Sequence, residues 1–128
     1  MSGLLLDTYA LLWWVEDDER LSSAARGAIS TADSVVASDV SLWELTVKAS
    51  IGKLRLDPSV AQWFEHHTAR SRFRGLPISR RHLAELALLP MAHRDPFDRL
   101  LIAQARIENL TLVSSDCEIA TYEVRTLW

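Results

Sequence analysis

Cysteine is almost absent: Cys117 is the only one in 128 residues. An intrachain disulfide framework and a thiolate zinc cluster are therefore excluded, which agrees with a reducing compartment. Long hydrophobic runs are also missing, and none approaches the ~20 residues that a membrane-spanning helix needs. The opening Met1-Ser-Gly-Leu-Leu-Leu-Asp7 has neither the basic region nor the long apolar segment of a secretory signal. A cytoplasmic location without membrane association is the expectation. The four glycines and four prolines are scattered as turn punctuation, with no Gly/Ser linker, low-complexity tract or repeat. One domain over residues 1–128 follows, long enough for a single core. A net charge of −3 argues against a surface that is basic throughout.

What is present is ordinary globular composition, 48% hydrophobic and 24% charged. Short apolar runs that read as buried strands lie at Gly3–Leu6, Val35–Ser38, Thr111–Ser114 and Val124–Leu127, with a weaker one at Gly75–Ile78. Between them, apolar residues recur at spacings of three and four over Thr8–Val15, Ser22–Ser30, Ser41–Ile51, Ser59–Ala69, Ser79–Leu88 and Pro96–Glu108, with Ser or Asp before several starts. Strands that are apolar throughout and joined by helices predict an α/β fold with a mainly parallel sheet covered on both faces. Such sheets bind ligands outside the carboxyl ends of their strands.

Those ends are acidic. The first strand runs into Asp7, the second is followed by Ser41-Leu-Trp-Glu44, and Leu112-Val-Ser-Ser-Asp116 closes the fourth. Asp98, in His93-Arg-Asp95-Pro-Phe-Asp98-Arg, opens a helix whose Leu101, Ile102 and Ala105 share one face, so it points along the buried side. Each acid has a plain structural explanation: Asp is a favoured helix cap, Asp95 precedes a first-position proline, and Ser41-x-x-Glu44 is a capping-box pattern. Caps do not require several carboxylates at one sheet edge, where they would repel one another and raise their pKa values unless a cation intervened. A hard divalent cation, Mg²⁺ or Mn²⁺, takes such oxygen ligands. The matching chemistry is phosphodiester hydrolysis by a metal-activated water, with paired ions about 3.5–4 Å apart in two-metal sites and no protein nucleophile.

The segments Leu4-Leu-Leu-Asp7-Thr8-Tyr-Ala-Leu-Leu-Trp-Trp14, Ser41-Leu-Trp-Glu44, Arg94-Asp95-Pro-Phe-Asp98-Arg99-Leu-Leu-Ile-Ala-Gln-Ala105 and Leu112-Val-Ser-Ser-Asp116, together with the ending Tyr122-Glu-Val-Arg-Thr-Leu-Trp128, resemble the PIN-domain ribonucleases, and among them the VapC toxins. The resemblance implies a three-layer α/β/α sandwich around a mainly parallel sheet, Mg²⁺ or Mn²⁺ at an acidic pocket, endonucleolytic cleavage of RNA, a VapB-like antitoxin partner and a homodimer. Matched position by position, the family's acidic quartet falls on Asp7, Glu44, Asp98 and Asp116, with Asp95 as a second choice for the metal. Thr8 and Ser114 match small hydroxyl positions beside the acids, where a hydroxyl orients a carboxylate or a bound water. Many members carry Thr where this chain has Ser114, and the hydroxyl is kept.

Other residues invite functional readings that must be weighed against burial. Arg70, Arg72, Arg74, Arg80 and Arg81 lie in a stretch free of acidic residues between Glu65 and Glu85, with His66, His67 and His82 nearby. This is a candidate phosphate-binding segment, though an exposed basic surface is common. Among five tryptophans, Trp13, Trp14 and Trp43 lie in amphipathic helices, where burial or a dimer interface outweighs base stacking, and Trp63 with Phe64 is a candidate cover for an antitoxin groove. His66, His67 and His93 lack the spacing of a zinc pair. A haloacid-dehalogenase-type phosphatase is disfavoured because Tyr9 stands where its second aspartate belongs, and a receiver domain because its central aspartate and late lysine are missing. A catalytically silent PIN-like domain that only binds a partner is the alternative from another class. Nothing in the residues separates RNA from DNA as substrate; that preference comes from the resemblance alone.

Overall fold

The computed structural model describes residues 3–91 and 95–128. His93 and Arg94, which belong to one of the motifs above, lie outside the described residues, and so does the reading of His93 as no metal ligand.

The described elements run β1 (Leu4–Leu6), α1 (Thr8–Val15), α2 (Ser23–Thr31), β2 (Val35–Ser38), α3 (Asp39–Ser50), α4 (Val60–Arg70), β3 (Arg74–Leu76), α5 (Arg80–Leu88), α6 (Pro96–Glu108), β4 (Thr111–Val113), a single 3₁₀ turn (Ile119–Thr121) and β5 (Thr126–Leu127). The strands form one five-stranded sheet in the order β3-β2-β1-β4-β5, and every neighbouring pair is parallel. This is the expected α/β architecture.

Alternation within the strands divides the core into two layers, because successive side chains of a strand point to opposite faces. Leu4, Leu6, Val35, Ala37 and Val113 face a cluster that includes Leu11, Ile29, Leu45, Trp63 and Phe64 from helices α1 to α4. Leu5, Val36 and Leu112 face the opposite cluster, built with Leu100, Leu101 and Ile102 of α6. Strands buried on both faces must be apolar throughout, and β1 is, as Leu4-Leu-Leu6, all buried.

Three of the six helix starts fall one residue later than the periodicity suggests, because the serines that open those patterns are caps and not first helical residues. Ser22, Ser59 and Ser79 accept hydrogen bonds from the backbone N–H of Ala25, Gln62 and His82. Helix α3 departs in the other direction. Ser38, the last residue of β2, itself caps the helix by accepting from Val40 N–H at 2.9 Å, so α3 begins at Asp39 with no intervening loop. The capping box read at Ser41 and Glu44 is therefore absent: both residues lie inside the helix, and both are buried.

Candidate active site

The strand order sets the position of the site. The chain works outward from β1 to β2 and β3, then returns to place β4 on the other side of β1. The crevice at the carboxyl ends of β1 and β4 is thus the topological switch point, where an open parallel sheet leaves room for a ligand. Asp7 follows β1 directly, and its backbone N–H donates to Val113 O of β4 at 3.0 Å, so the aspartate is fixed over that crevice.

Asp7 is buried, with 7% of its surface exposed, and it caps α1 by accepting from Ala10 N–H at 2.7 Å. Burial pushes its pKa from 3.8 up to about 6; hydrogen bonds from the Ser114 hydroxyl and Ala10 N–H pull the other way, while the charges of Asp98 and Glu44 add to the rise. Three carboxylates from three separated parts of the chain therefore share one electrostatic neighbourhood. Ser114 ties in the fourth: its oxygen also accepts from Asp116 N–H at 3.1 Å, so one hydroxyl links Asp7 to the turn carrying Asp116. Asp116 is half-buried and steadies that turn by accepting from Glu118 N–H at 2.9 Å.

Glu44 is held more tightly than the sequence suggests. Its carboxylate is buried, Oε2 accepts from Lys48 Nζ at 2.7 Å, and Oε1 has no hydrogen-bond partner among the described residues. Lys48 Nζ also donates to Tyr9 Oη at 2.7 Å. Thr8 Oγ1 donates to Ser41 Oγ at 3.0 Å, which joins the start of α1 to the first turn of α3 and directs that hydroxyl at a neighbouring helix. Asp98 is half-buried in the first turn of α6. Asp95 is the N-cap of that helix, its Oδ1 accepting from Phe97 N–H and Asp98 N–H at 2.9 and 3.2 Å.

The four acids offer carboxylate oxygen, which a hard cation takes as ligand, and the buried Glu44 Oε1, without a hydrogen-bond partner among the described residues, fits such a role. Among the described residues, no three His, Cys, Asp or Glu side chains are drawn into a closed ligand cluster. An ion such as Mg²⁺ keeps most of its water and uses one or two carboxylates directly.

The five arginines are exposed and fall on different elements. Arg70 ends α4, while Arg72 and Arg74 lead into β3, at the amino edge of the sheet opposite the acids. Arg80 and Arg81 open α5, whose His82 meets Glu108 at the last turn of α6; Glu108 is ten residues, or about 15 Å of helix, beyond Asp98. His82 is itself buried and adds nothing to a surface patch. Trp63 and Phe64 lie in the core at 7% and 8% exposure, which rules them out as a surface groove cover. Trp43, by contrast, is 45% exposed and rests edge-on against Phe97 at 4.6 Å, so of the two expected roles, burial or a dimer interface, it does not fill the first within the chain. Reading acids alone missed Lys48 and Tyr9; the signal was the i, i+4 spacing of Glu44 and Lys48, a favourable orientation on a helix.

A parallel α/β sheet carrying carboxylates at its switch point defines a class of acidic-pocket proteins suited to phosphate chemistry. Comparison narrows the class. The model of the PIN domain matches residues 4–124. Ribonuclease VapC22 of Mycobacterium tuberculosis is 31% identical over 122 residues, covering 95% of this chain and 93% of that protein. This chain belongs to the PIN-domain family. Its fold is shared with VapBC2 from Rickettsia felis, solved bound to a DNA fragment from their promoter (TM-score 0.74, 15% identity, 98% of each chain covered). It is shared also with FitAcB from Neisseria gonorrhoeae (TM-score 0.67, 17% identity, 98% of this chain and 96% of that one).

Proposed function

We propose that this protein is a VapC-like endoribonuclease toxin that hydrolyses RNA phosphodiester bonds at the Asp7, Glu44, Asp98 and Asp116 pocket with Mg²⁺ or Mn²⁺. We propose further that it works as a homodimer in the cytoplasm and is neutralised by a VapB-like antitoxin. The observation that carries this reading is the burial of Asp7 at the switch point within reach of the charges of Glu44 and Asp98, with its pKa raised to about 6. The relative named a ribonuclease and the solved VapBC complexes support the choice of RNA and of an antitoxin partner. No helix among the described residues is long and apolar enough to cross a membrane.

When bound, the cation would supply Lewis acidity toward the scissile phosphate and lower the pKa of an attacking water. The chain's own part is orientation. Ser114 fixes Asp7 and the Asp116 turn, Lys48 fixes Glu44, and the Asp95 cap fixes the first turn of α6 that presents Asp98.

The test is cleavage of labelled single-stranded RNA, and separately of DNA, in Mg²⁺, in Mn²⁺ and in excess EDTA, with Asp98→Asn as the control for contaminating nuclease. Cleavage of RNA that needs both the metal and Asp98 is the expected result. A pure, folded protein that cuts nothing under any of these conditions would favour a partner-binding domain without catalysis.

A further inference from the structure

Lys48 is a basic residue paired with one of the acids, and its placement is specific. It sits one helical turn after Glu44 on α3, with 27% of its side chain exposed against 4% for its partner. Its ammonium is shared: Nζ donates to Glu44 Oε2 and to Tyr9 Oη, each at 2.7 Å, and stands 4.5 Å above the centre of the Tyr9 ring. Tyr9 in turn follows Asp7 by two residues on α1, so the lysine bridges the helix that begins at Asp7 and the helix that carries Glu44. Burial works against the Lys48 charge, but the bonds to Glu44 and Tyr9 more than offset it, and its pKa is raised. It remains a cation throughout the neutral range.

An ion pair on a solvent-exposed helix face contributes little, because water screens it and both side chains lose freedom. This pair differs in that the carboxylate is buried and its other oxygen, Oε1, has no partner among the described residues. A buried carboxylate with one oxygen capped by an ammonium and the other bare is fixed in direction. It is also only half neutralised.

We propose that Lys48, anchored by Tyr9, is a resident counter-cation of the acidic pocket: it holds the Glu44 carboxylate in a fixed orientation in the metal-free protein and limits how tightly a divalent cation binds. This rests on the metal-dependent reading above. Two consequences with opposite signs follow from one charge. Without metal, Lys48 offsets repulsion among Asp7, Glu44 and Asp98, and its loss leaves a buried carboxylate without a partner. With metal, the same ammonium repels the incoming cation, so its removal strengthens binding. A lysine that merely packed its stem against α3 would produce neither effect.

The experiment uses the full chain as wild type, Lys48→Met, Lys48→Arg and Tyr9→Phe. Mn²⁺ affinity is measured by titration, and thermal melting is followed in EDTA and in saturating Mn²⁺. Methionine keeps the stem and the helix propensity while removing the charge. The expected result is that Lys48→Met melts below wild type in EDTA, recovers most of that loss in Mn²⁺, and binds Mn²⁺ about tenfold more tightly, ~1.4 kcal/mol. Lys48→Arg should match wild type in both readouts, and Tyr9→Phe should fall between wild type and Lys48→Met. Mn²⁺ binding by Lys48→Met that is unchanged or weaker would overturn the proposal. If wild type binds no Mn²⁺ at all, the metal reading fails separately; the counter-cation role then stands on a lower melting temperature of Lys48→Met in EDTA and falls if that temperature is unchanged.

Discussion

Replacing Asp7 by Asn should remove cleavage and, at neutral pH without metal, make the protein more stable. Asn is nearly the same size, and its side-chain oxygen can still accept from Ala10 N–H, so the cap of α1 survives. What disappears is the cost of ionising a buried carboxyl near Asp98 and Glu44. Its folded pKa is about 6 against an ordinary 3.8. At 1.36 kcal/mol per pH unit that difference amounts to roughly 3 kcal/mol at most, and about 1–3 kcal/mol once local relaxation is allowed. Because the folded pKa lies above the unfolded one, the folded state binds the proton more tightly, and stability falls as pH rises between them. The cost is absent below pH 4, grows between pH 4 and 6, and is complete above. Asp7→Asn should therefore melt roughly 3–10 °C above wild type at pH 7.5 in EDTA, and with wild type near pH 4. Saturating Mg²⁺ should reverse the order by stabilising only the protein that keeps its ligand. Scanning calorimetry at the two pH values decides the matter. A variant that melts at or below wild type at pH 7.5 in EDTA, or one whose advantage persists at pH 4, would refute the assignment of Asp7 as a strained, buried acid.

Asp95→Ala removes the acceptor for two N–H groups at the start of α6 and should cost about 1 kcal/mol in urea unfolding, while Mn²⁺ affinity changes less than twofold. Asp98→Asn should show the converse, near-normal stability with cleavage lost, so the pair separates the cap from the site. Gln104→Ala should be costly, about 2–4 kcal/mol by chemical denaturation, because this buried amide bonds Pro77 O, Ser38 and His82 and its loss leaves a cavity and unpaired groups. Asn109→Gly should stabilise by up to ~1 kcal/mol, read as a higher melting temperature, because residue 109 ends α6 in the left-handed region at φ 57°, where glycine carries no side-chain strain.

Much of the fold was legible because the strands are short, apolar throughout and punctuated by helices whose periodicity is clear. Leu4-Leu-Leu6 and Val35-Val-Ala-Ser38 read as strands covered on both faces, and that reading brings the parallel sheet and the switch point with it. The acids at the strand ends could then be named from chain order alone. The short edge strands were placed less well: β3 is Arg74–Leu76, where the apolar pattern pointed to Gly75–Ile78, since an edge strand with exposed Arg74 and Gly75 has little periodicity to read. The start of α3 was missed because Ser38 serves as both the end of a strand and a helix cap, and no spacing rule gives one residue both duties.

The arginines and the tryptophans show a different limit. Arg70 to Arg81 are close in sequence, but β3 runs through the stretch and α5 follows it, so the charges are divided between the amino edge of the sheet and the far end of α6. Lys48 gives the opposite case: four residues after Glu44 and thirty-nine after Tyr9, it is an unremarkable helix lysine until the sheet brings α1 and α3 side by side. Acids brought together repel one another, and that repulsion can be anticipated from the sequence. The spacing of Lys48 from Glu44 can be read on one helix, but its second partner, Tyr9, is seen only once α1 and α3 have been placed, which is why its effect on metal affinity is the more searching test of this pocket.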